Sequence, residues 1–316
     1  MAGSREGTGA AVSRRPSRRG VLRGVAGVGV GGIAGTAATD TVEAAGGDRR
    51  WSFDTGQTVN SPTVVDGTVY VGAHDDLYAV DAAAGTKEWR FTTTGITDPI
   101  RKQRHVSLTA ASTVVDGRVF VTEDAARAST VTYAYALDAA TGTERWRFQA
   151  DGGFTPPTVA SGTVFVGNSE FPDGGTVYAL DAADGTEQWR FRTDAEVVST
   201  PVVADGTVYV GDLGGTVYAL DPADGTERWT TAIPGDGSQR AAPTVADGAV
   251  YAVRSGTVSA LDVDGGALRW SVEVGEAVRS TPTVANGTLY VGTGTNDTGS
   301  EPAATSLYAL DVPDGS

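Results

Sequence analysis

The 316-residue chain has no Cys, two His and six Trp, which excludes disulfides, thiol catalysis and any Cys-ligated metal. Its formal charge of −15 argues against nucleic acid or an anionic membrane surface as a partner.

The first 46 residues differ in kind from the rest. Ser17, Arg18, Arg19, Gly20, Val21, Leu22 and Arg23 read as a twin-arginine export signal ahead of an apolar, Gly-rich run from Val25 to Ala38. That run is too short and too rich in Gly for a permanent span, so the expected product is exported, extracellular or at the cell surface, with no stable span once the leader is cleaved. Loss of Arg5, Arg14, Arg15, Arg18, Arg19 and Arg23 with Glu6, Asp40 and Glu43 leaves the remainder more acidic still. Lys87 and Lys102 are then its lysines, and an Asp-rich, Lys-poor surface resembles proteins that work in concentrated salt.

From residue 47 onward the chain is a repeat. YAVDAAAGTKEW begins at Tyr78, YALDAATGTERW at Tyr135, YALDAADGTEQW at Tyr178, YALDPADGTERW at Tyr218 and SALDVDGGALRW at Ser259. YALDVPDGS, from Tyr308, is a shortened sixth copy. In the complete copies Asp and Trp are always 8 residues apart, so the segment admits no insertion. Trp51, Trp89, Trp146, Trp189, Trp229 and Trp270 all hold this position.

Upstream of each copy two apolar, β-branched runs flank a turn: Asp66-Gly67, Asp116-Gly117, Ser161-Gly162, Asp205-Gly206, Asp247-Gly248 and Asn286-Gly287. Such dipeptides predict hairpins, because a type I′ turn needs positive φ at both central residues. Each unit therefore holds four short strands, A to D, and a four-stranded sheet of about 40 residues must stack on its copies to bury both faces. The expectation is an all-β, six-bladed β-propeller over 47–316, with A innermost and D outermost, seven or eight blades being the alternative. The strand around Trp51 has no A, B or C strand before it, so it is expected to complete the sixth blade and close the ring.

The pattern Ala136, Asp138, Thr141, Gly142 and Trp146, repeated with Asp184 for Thr at Ala179, Asp181, Gly185 and Trp189, resembles the tryptophan-docking motif of β-propellers built from pyrroloquinoline-quinone-type (PQQ) repeats. The resemblance covers roughly 47–316. It implies the fold but leaves function open, since the family includes quinone-dependent dehydrogenases and non-catalytic scaffolds. Those relatives usually have eight blades, against six repeats here.

Length variation is confined to the D–A and B–C connections, which leave an up-and-down blade on the same side. Variable loops on a rigid frame are where recognition resides. The longest D–A connection, Thr94 to Ala110, carries Arg101, Lys102, Arg104 and His105, the densest basic cluster after the leader. Arg240 and Arg279 precede the A strands of blades five and six, so all six residues are candidates for one anion-binding mouth. The bland alternative is pairing with nearby carboxylates such as Asp98 or Glu123.

Carboxylates recur in the B–C connections: Asp75 and Asp76 beside His74, Glu123 and Asp124, Glu170 and Asp173, Asp212, then Asp297 and Glu301. They suit Ca²⁺ by chemistry but match no EF-hand spacing, and solvated surface charge is the competing reading. No catalytic residues are assigned. The family's dehydrogenases hold PQQ with a stacking Trp, a vicinal Cys pair and Ca²⁺; this chain has no Cys, and each Trp is committed to docking. The sequence thus favours a non-catalytic binding or scaffold module without a cofactor, its partner a protein, an anionic glycan or a small anionic ligand; a PQQ- and Ca²⁺-dependent dehydrogenase is the alternative.

Overall fold

A computed structural model describes residues 49–93, 106–109, 111–125, 131–170, 174–235, 242–274, 278, 280–294 and 306–312. The chain divides into two units, Met1–Asp48 and Arg49–Ser316, and the described residues belong to the second.

Regular structure among these residues is entirely β, in six antiparallel sheets that follow the six repeats. Blade one holds β1 (Thr63–Val65), β2 (Thr68–Ala73), β3 (Asp76–Asp81) and β4 (Lys87–Thr92), paired in that order. Blade two adds a short β5 (Val106–Leu108) before β6 (Thr113–Val115), β7 (Arg118–Ala125), β8 (Val131–Asp138) and β9 (Glu144–Asp151). Blade three likewise adds β10 (Gly153–Phe154) to β11 (Thr158–Ala160), β12 (Thr163–Ser169), β13 (Gly175–Asp181) and β14 (Glu187–Thr193). Blade four is β15 (Val202–Ala204), β16 (Thr207–Gly211), β17 (Thr216–Leu220) and β18 (Glu227–Ala232). Blade five is β19 (Thr244–Ala246), β20 (Ala249–Arg254), β21 (Thr257–Asp262) and β22 (Leu268–Glu273). Blade six has three strands, β23 (Thr283–Ala285), β24 (Thr288–Gly292) and β25 (Leu307–Asp311).

Local chemistry sets both hairpins. The first residue of every A–B turn, from Asp66 to Asn286, has φ between 47° and 52° and is followed by a Gly of positive φ. At the C–D turn the motif Asp accepts backbone hydrogen bonds: Asp138 Oδ1 from the Ala140 and Thr141 N–H groups, both at 3.0 Å, and Asp262 Oδ1 from Asp264 and Gly265. In blades two, four and five its second oxygen takes the Arg just before the Trp, as in Arg228 to Asp221 at 2.8 Å. A register shift follows the Ala opposite each complete blade's Trp, as after Ala179, so the bulge is part of the repeat.

Blades join through the indole. Trp51, Trp89, Trp146, Trp189 and Trp229 donate from Nε1 to the C–D turn carbonyls of Ala82, Ala139, Ala182, Pro222 and Val263, at 2.9 to 3.1 Å. Trp270 packs on the sixth blade's core beside Val312. Under the first five of these rings lies the motif Gly; a Cβ on Gly142 would stand 2.5 Å from the Trp89 ring. A second aromatic contact seals four joints: Phe53 to Tyr78, Phe91 to Tyr135, Phe148 to Tyr178 and Phe191 to Tyr218, with centroids 5.1 to 5.5 Å apart. Between blades four and five Thr231 and Ser259 hold those two positions, and buried Ile233 joins the core instead. The inner strands pack in sequence, β1 on β6 through to β19 on β23. A Thr hydroxyl of one inner strand bonds the next blade in four places, as Thr113 to the Pro157 carbonyl at 2.7 Å.

Of the segment expected to complete blade six, which begins at Gly47, the described part from Arg49 to Phe53 packs against blade one through Trp51 and Phe53 and forms no described ladder with β25.

Candidate functional site

The loop face is built from the outer end of each B strand. There, in all blades but the fifth, the described D–A connection crosses back antiparallel: Leu108 pairs with Glu123 and Phe154 with Asn168, while Val59, Val197 and Val278 bridge to Ala73, Asp212 and Thr293. No sequence pattern marks this second pairing, because β5 and β10 have only three and two residues. Hydroxyls hold it in place. Ser199 Oγ donates to the Gly211 carbonyl at 2.8 Å, and Thr122 Oγ1 donates to the Thr155 carbonyl at 2.8 Å.

Beneath these crossings four blades set a carboxylate against a tyrosine hydroxyl. Tyr78 donates to Asp76 at 3.3 Å, Tyr135 to Glu123 at 3.1 Å, Tyr178 to Glu170 at 3.3 Å and Tyr218 to Asp212 at 3.1 Å. Asp76, Glu123 and Asp212 are buried, so the reading of these side chains as solvated surface charge is corrected: the strand ladder carries them inward. Asp76 receives Arg90 through two bonds, at 2.8 and 2.7 Å, plus the Thr92 hydroxyl. Burial pushes the Asp76 carboxyl up, but the bonds from Arg90 and Thr92 outweigh it and hold the group below its ordinary value. Burial, aided by the neighbouring Glu170 charge, pushes the Tyr178 phenol up to about 12, and burial likewise pushes Tyr218 up to about 12.

Blade five departs from this plan. Arg254 occupies the place of Asp212 and donates to the Ile233 carbonyl at 3.2 Å. Ser259 stands where the tyrosine would be, its buried Oγ without a hydrogen-bond partner.

Among the described residues no group of three or more His, Asp or Glu side chains is arranged to hold a metal ion. Of the carboxylates that suit Ca²⁺ by chemistry, Asp76, Glu123, Glu170 and Asp212 are hydrogen-bonded within their blades, while Asp173, Asp297 and Glu301 lie outside the described residues. So do Arg101, Lys102, Arg104, His105, Arg240 and Arg279, the whole basic set assigned from sequence. On the turn face, a cleft of about 380 Å³ lies between blades one and two, lined by Asp66, Thr68, Glu88 and Asp116 among others. No helix among the described residues is long and apolar enough to cross a membrane.

Stacked antiparallel sheets joined by docked tryptophans define a β-propeller of PQQ-like repeats. The chain belongs to the family described as outer membrane protein assembly factor BamB, matched over residues 3–132, 130–236 and 214–316. It is 30% identical over 247 residues to the outer membrane protein assembly factor BamB of Moranella endobia (strain PCIT), covering 73% of this chain and spanning 61% of that relative's length. Among solved structures, BamB from Moraxella catarrhalis superposes with a TM-score of 0.63 at 19% identity, over 84% of this chain and 75% of that one. A europium-containing methanol dehydrogenase superposes with a TM-score of 0.60 at 16% identity, over 84% and 69%. At these identities the superpositions establish the fold alone.

Proposed function

We propose that this protein is an exported, non-catalytic scaffold of the cell envelope: a six-bladed ring that binds a protein partner through its D–A and B–C loop face. The observation carrying this reading is the use of every tryptophan. All six hold the docking position, five with Nε1 bonded to the neighbouring blade, which leaves none to stack on a quinone. The name of the Moranella endobia relative, an assembly factor, supports contact with other proteins as the mode of action. The twin-arginine pattern at Arg18 and Arg19 supports export, and the acidic composition supports work in concentrated salt. Arg101, Lys102 and Arg104 are the proposed contact, since a cationic island on an acidic body attracts anionic groups locally.

The test compares the protein with a variant carrying Arg101→Ser, Lys102→Ser and Arg104→Ser in capture from envelope extracts at high salt. Loss of a specific captured protein with unchanged thermal unfolding supports the reading. Equal capture by both proteins sinks the assignment of the basic cluster. A second arm incubates the protein with PQQ and Ca²⁺; quinone absorbance together with reduction of a dye by an alcohol would replace the scaffold with a dehydrogenase.

A further inference from the structure

On the turn face of three blades, the residue before the docking Trp meets the hydroxyl that opens its own blade's B strand. Thr68 donates to Glu88 at 3.2 Å, Thr163 to Gln188 at 3.1 Å, and Arg228 donates from Nη1 to Thr207 at 2.6 Å. Thr68 and Glu88 line the cleft between blades one and two, where the Asp116-Gly117 turn of blade two faces them. The repeat thus gathers three positions at a joint: the start of the B strand, the residue before the Trp, and the A–B turn of the next blade.

Between blades two and three those positions hold Arg118, Arg145 and Ser161. Arg118 replaces a Thr found in four of the other five blades, and Ser161 is the one A–B turn residue that is neither Asp nor Asn. Two guanidiniums therefore stand where blade four has a guanidinium and a hydroxyl, and the turn facing them brings no carboxylate. Arg118 precedes Phe120 by two residues on β7, so both side chains lie on the face turned to blade three, where Phe120 clusters with Trp146 and Val164.

The groups already present leave this pair of cations short of an anion. Asp138 gives Oδ2 to Arg145, and its Oδ1 accepts from the Ala140 and Thr141 N–H groups and from the Thr141 hydroxyl. Arg118 has no hydrogen bond or ion pair among the described residues. Nε alone of its nitrogens is sealed from solvent, so packing holds the half-buried stem while the outer fork of Nη1 and Nη2 has no acceptor.

We propose that Arg118 and Arg145 form a seat for one oxyanion, a carboxylate or a phosphate, on the turn face between blades two and three. A fork fixed by packing loses little freedom when it takes two parallel bonds to such a group, and the second guanidinium adds charge beside it. The neighbouring cleft, lined by Asp66, Glu88 and Asp116, repels anions and so confines the ligand to this joint. The seat lies on the side opposite the loop face and does not depend on the contact proposed there.

Two substitutions drawn from the other repeats test it without threatening the fold. Arg118→Thr restores the usual residue, and Ser161→Asp supplies the carboxylate of the other turns. The full chain and both variants are titrated calorimetrically with sodium phosphate and, separately, with sodium succinate at fixed ionic strength. The parent is expected to bind at least one of them saturably at one site per chain, and each variant to bind it about tenfold or more weakly. Tighter binding of phosphate assigns the seat to a phosphorylated ligand, and tighter binding of succinate to an acidic side chain of a peptide. No saturable binding by the parent, or equal binding by the parent and Arg118→Thr, would overturn the proposal. Thermal unfolding gives a second reading: the anion that binds should raise the melting temperature of the parent and leave Arg118→Thr unmoved, whereas an equal rise in both refutes the seat.

Discussion

The Trp89 indole donates to the Ala139 carbonyl at 2.9 Å, and the Tyr70 hydroxyl reaches the same oxygen at 3.3 Å. One carbonyl of the second blade thus gathers two side chains of the first. Trp89→Ala removes a buried ring together with that bond, so a loss of about 3–5 kcal/mol in unfolding free energy is expected from denaturant titration. Tyr70→Phe keeps the ring and is expected to cost only about 1 kcal/mol.

A pair of glycines separates backbone strain from indole contact. Gly206 and Gly185 have φ of +69° and +76°, but a Cβ on Gly206 meets nothing within 4 Å, whereas one on Gly185 comes to 2.6 Å from the Trp146 ring. Gly206→Ala should cost about 1–2 kcal/mol from conformation alone. Gly185→Ala should exceed it by a further 2 kcal/mol or so, because the indole must lift. Equal shifts in melting temperature would show that the ring contact contributes nothing.

Asp76 ties stability to acid. Its carboxyl is held below its ordinary value of 3.8, so its contribution is present above that pH and fades as pH falls through the lower folded value. Arg90 is half exposed, which moderates the pairing, and Asp76→Asn is expected to cost about 1–2 kcal/mol at neutral pH. Acid titration of the variant should show a shallower loss below pH 3.8 than the parent.

Tyr178 and Tyr218 act at the opposite limit. Folded values of about 12 lie above the ordinary 10.0, so the native state keeps protons that the unfolded chain releases. Stability from these groups is complete below pH 10.0 and declines as pH rises toward 12. Replacing both by Phe should flatten that alkaline decline, followed by circular dichroism. An unchanged slope would assign the transition to other groups.

Export depends on the leader under the reading proposed above. Arg18→Lys with Arg19→Lys should retain the protein in the cytoplasm, measured by fractionation and immunoblot. Normal secretion of that variant would remove the twin-arginine assignment.

The architecture was legible because it is written several times over. An Asp-Gly turn, a fixed Asp-to-Trp distance and two apolar strands each specify local geometry, and repetition makes stacking unavoidable. The loop face was not legible in the same way. Whether Asp76 or Glu123 meets water or a tyrosine depends on the end of a ladder whose partner strand has three residues or fewer. A signal was nonetheless present: Glu123 and Asp212 each follow by two residues the valine that pairs with the motif Tyr. The basic cluster offered no such register, since its residues belong to connections that differ from blade to blade.

The joint between blades four and five limits how the repeats can be exchanged as cassettes. At four joints a Phe from one unit closes on a Tyr from the next, so a grafted unit finds its counterpart waiting. Thr231, Ile233 and Ser259 instead match only one another. A fifth unit moved alone would present Ser259 to a Phe and leave a hole, while a third unit moved into its place would press Tyr178 against Ile233. The portable piece is therefore an outer strand together with the blade that follows it, and its natural cut sites fall in the C–D turns rather than between sheets.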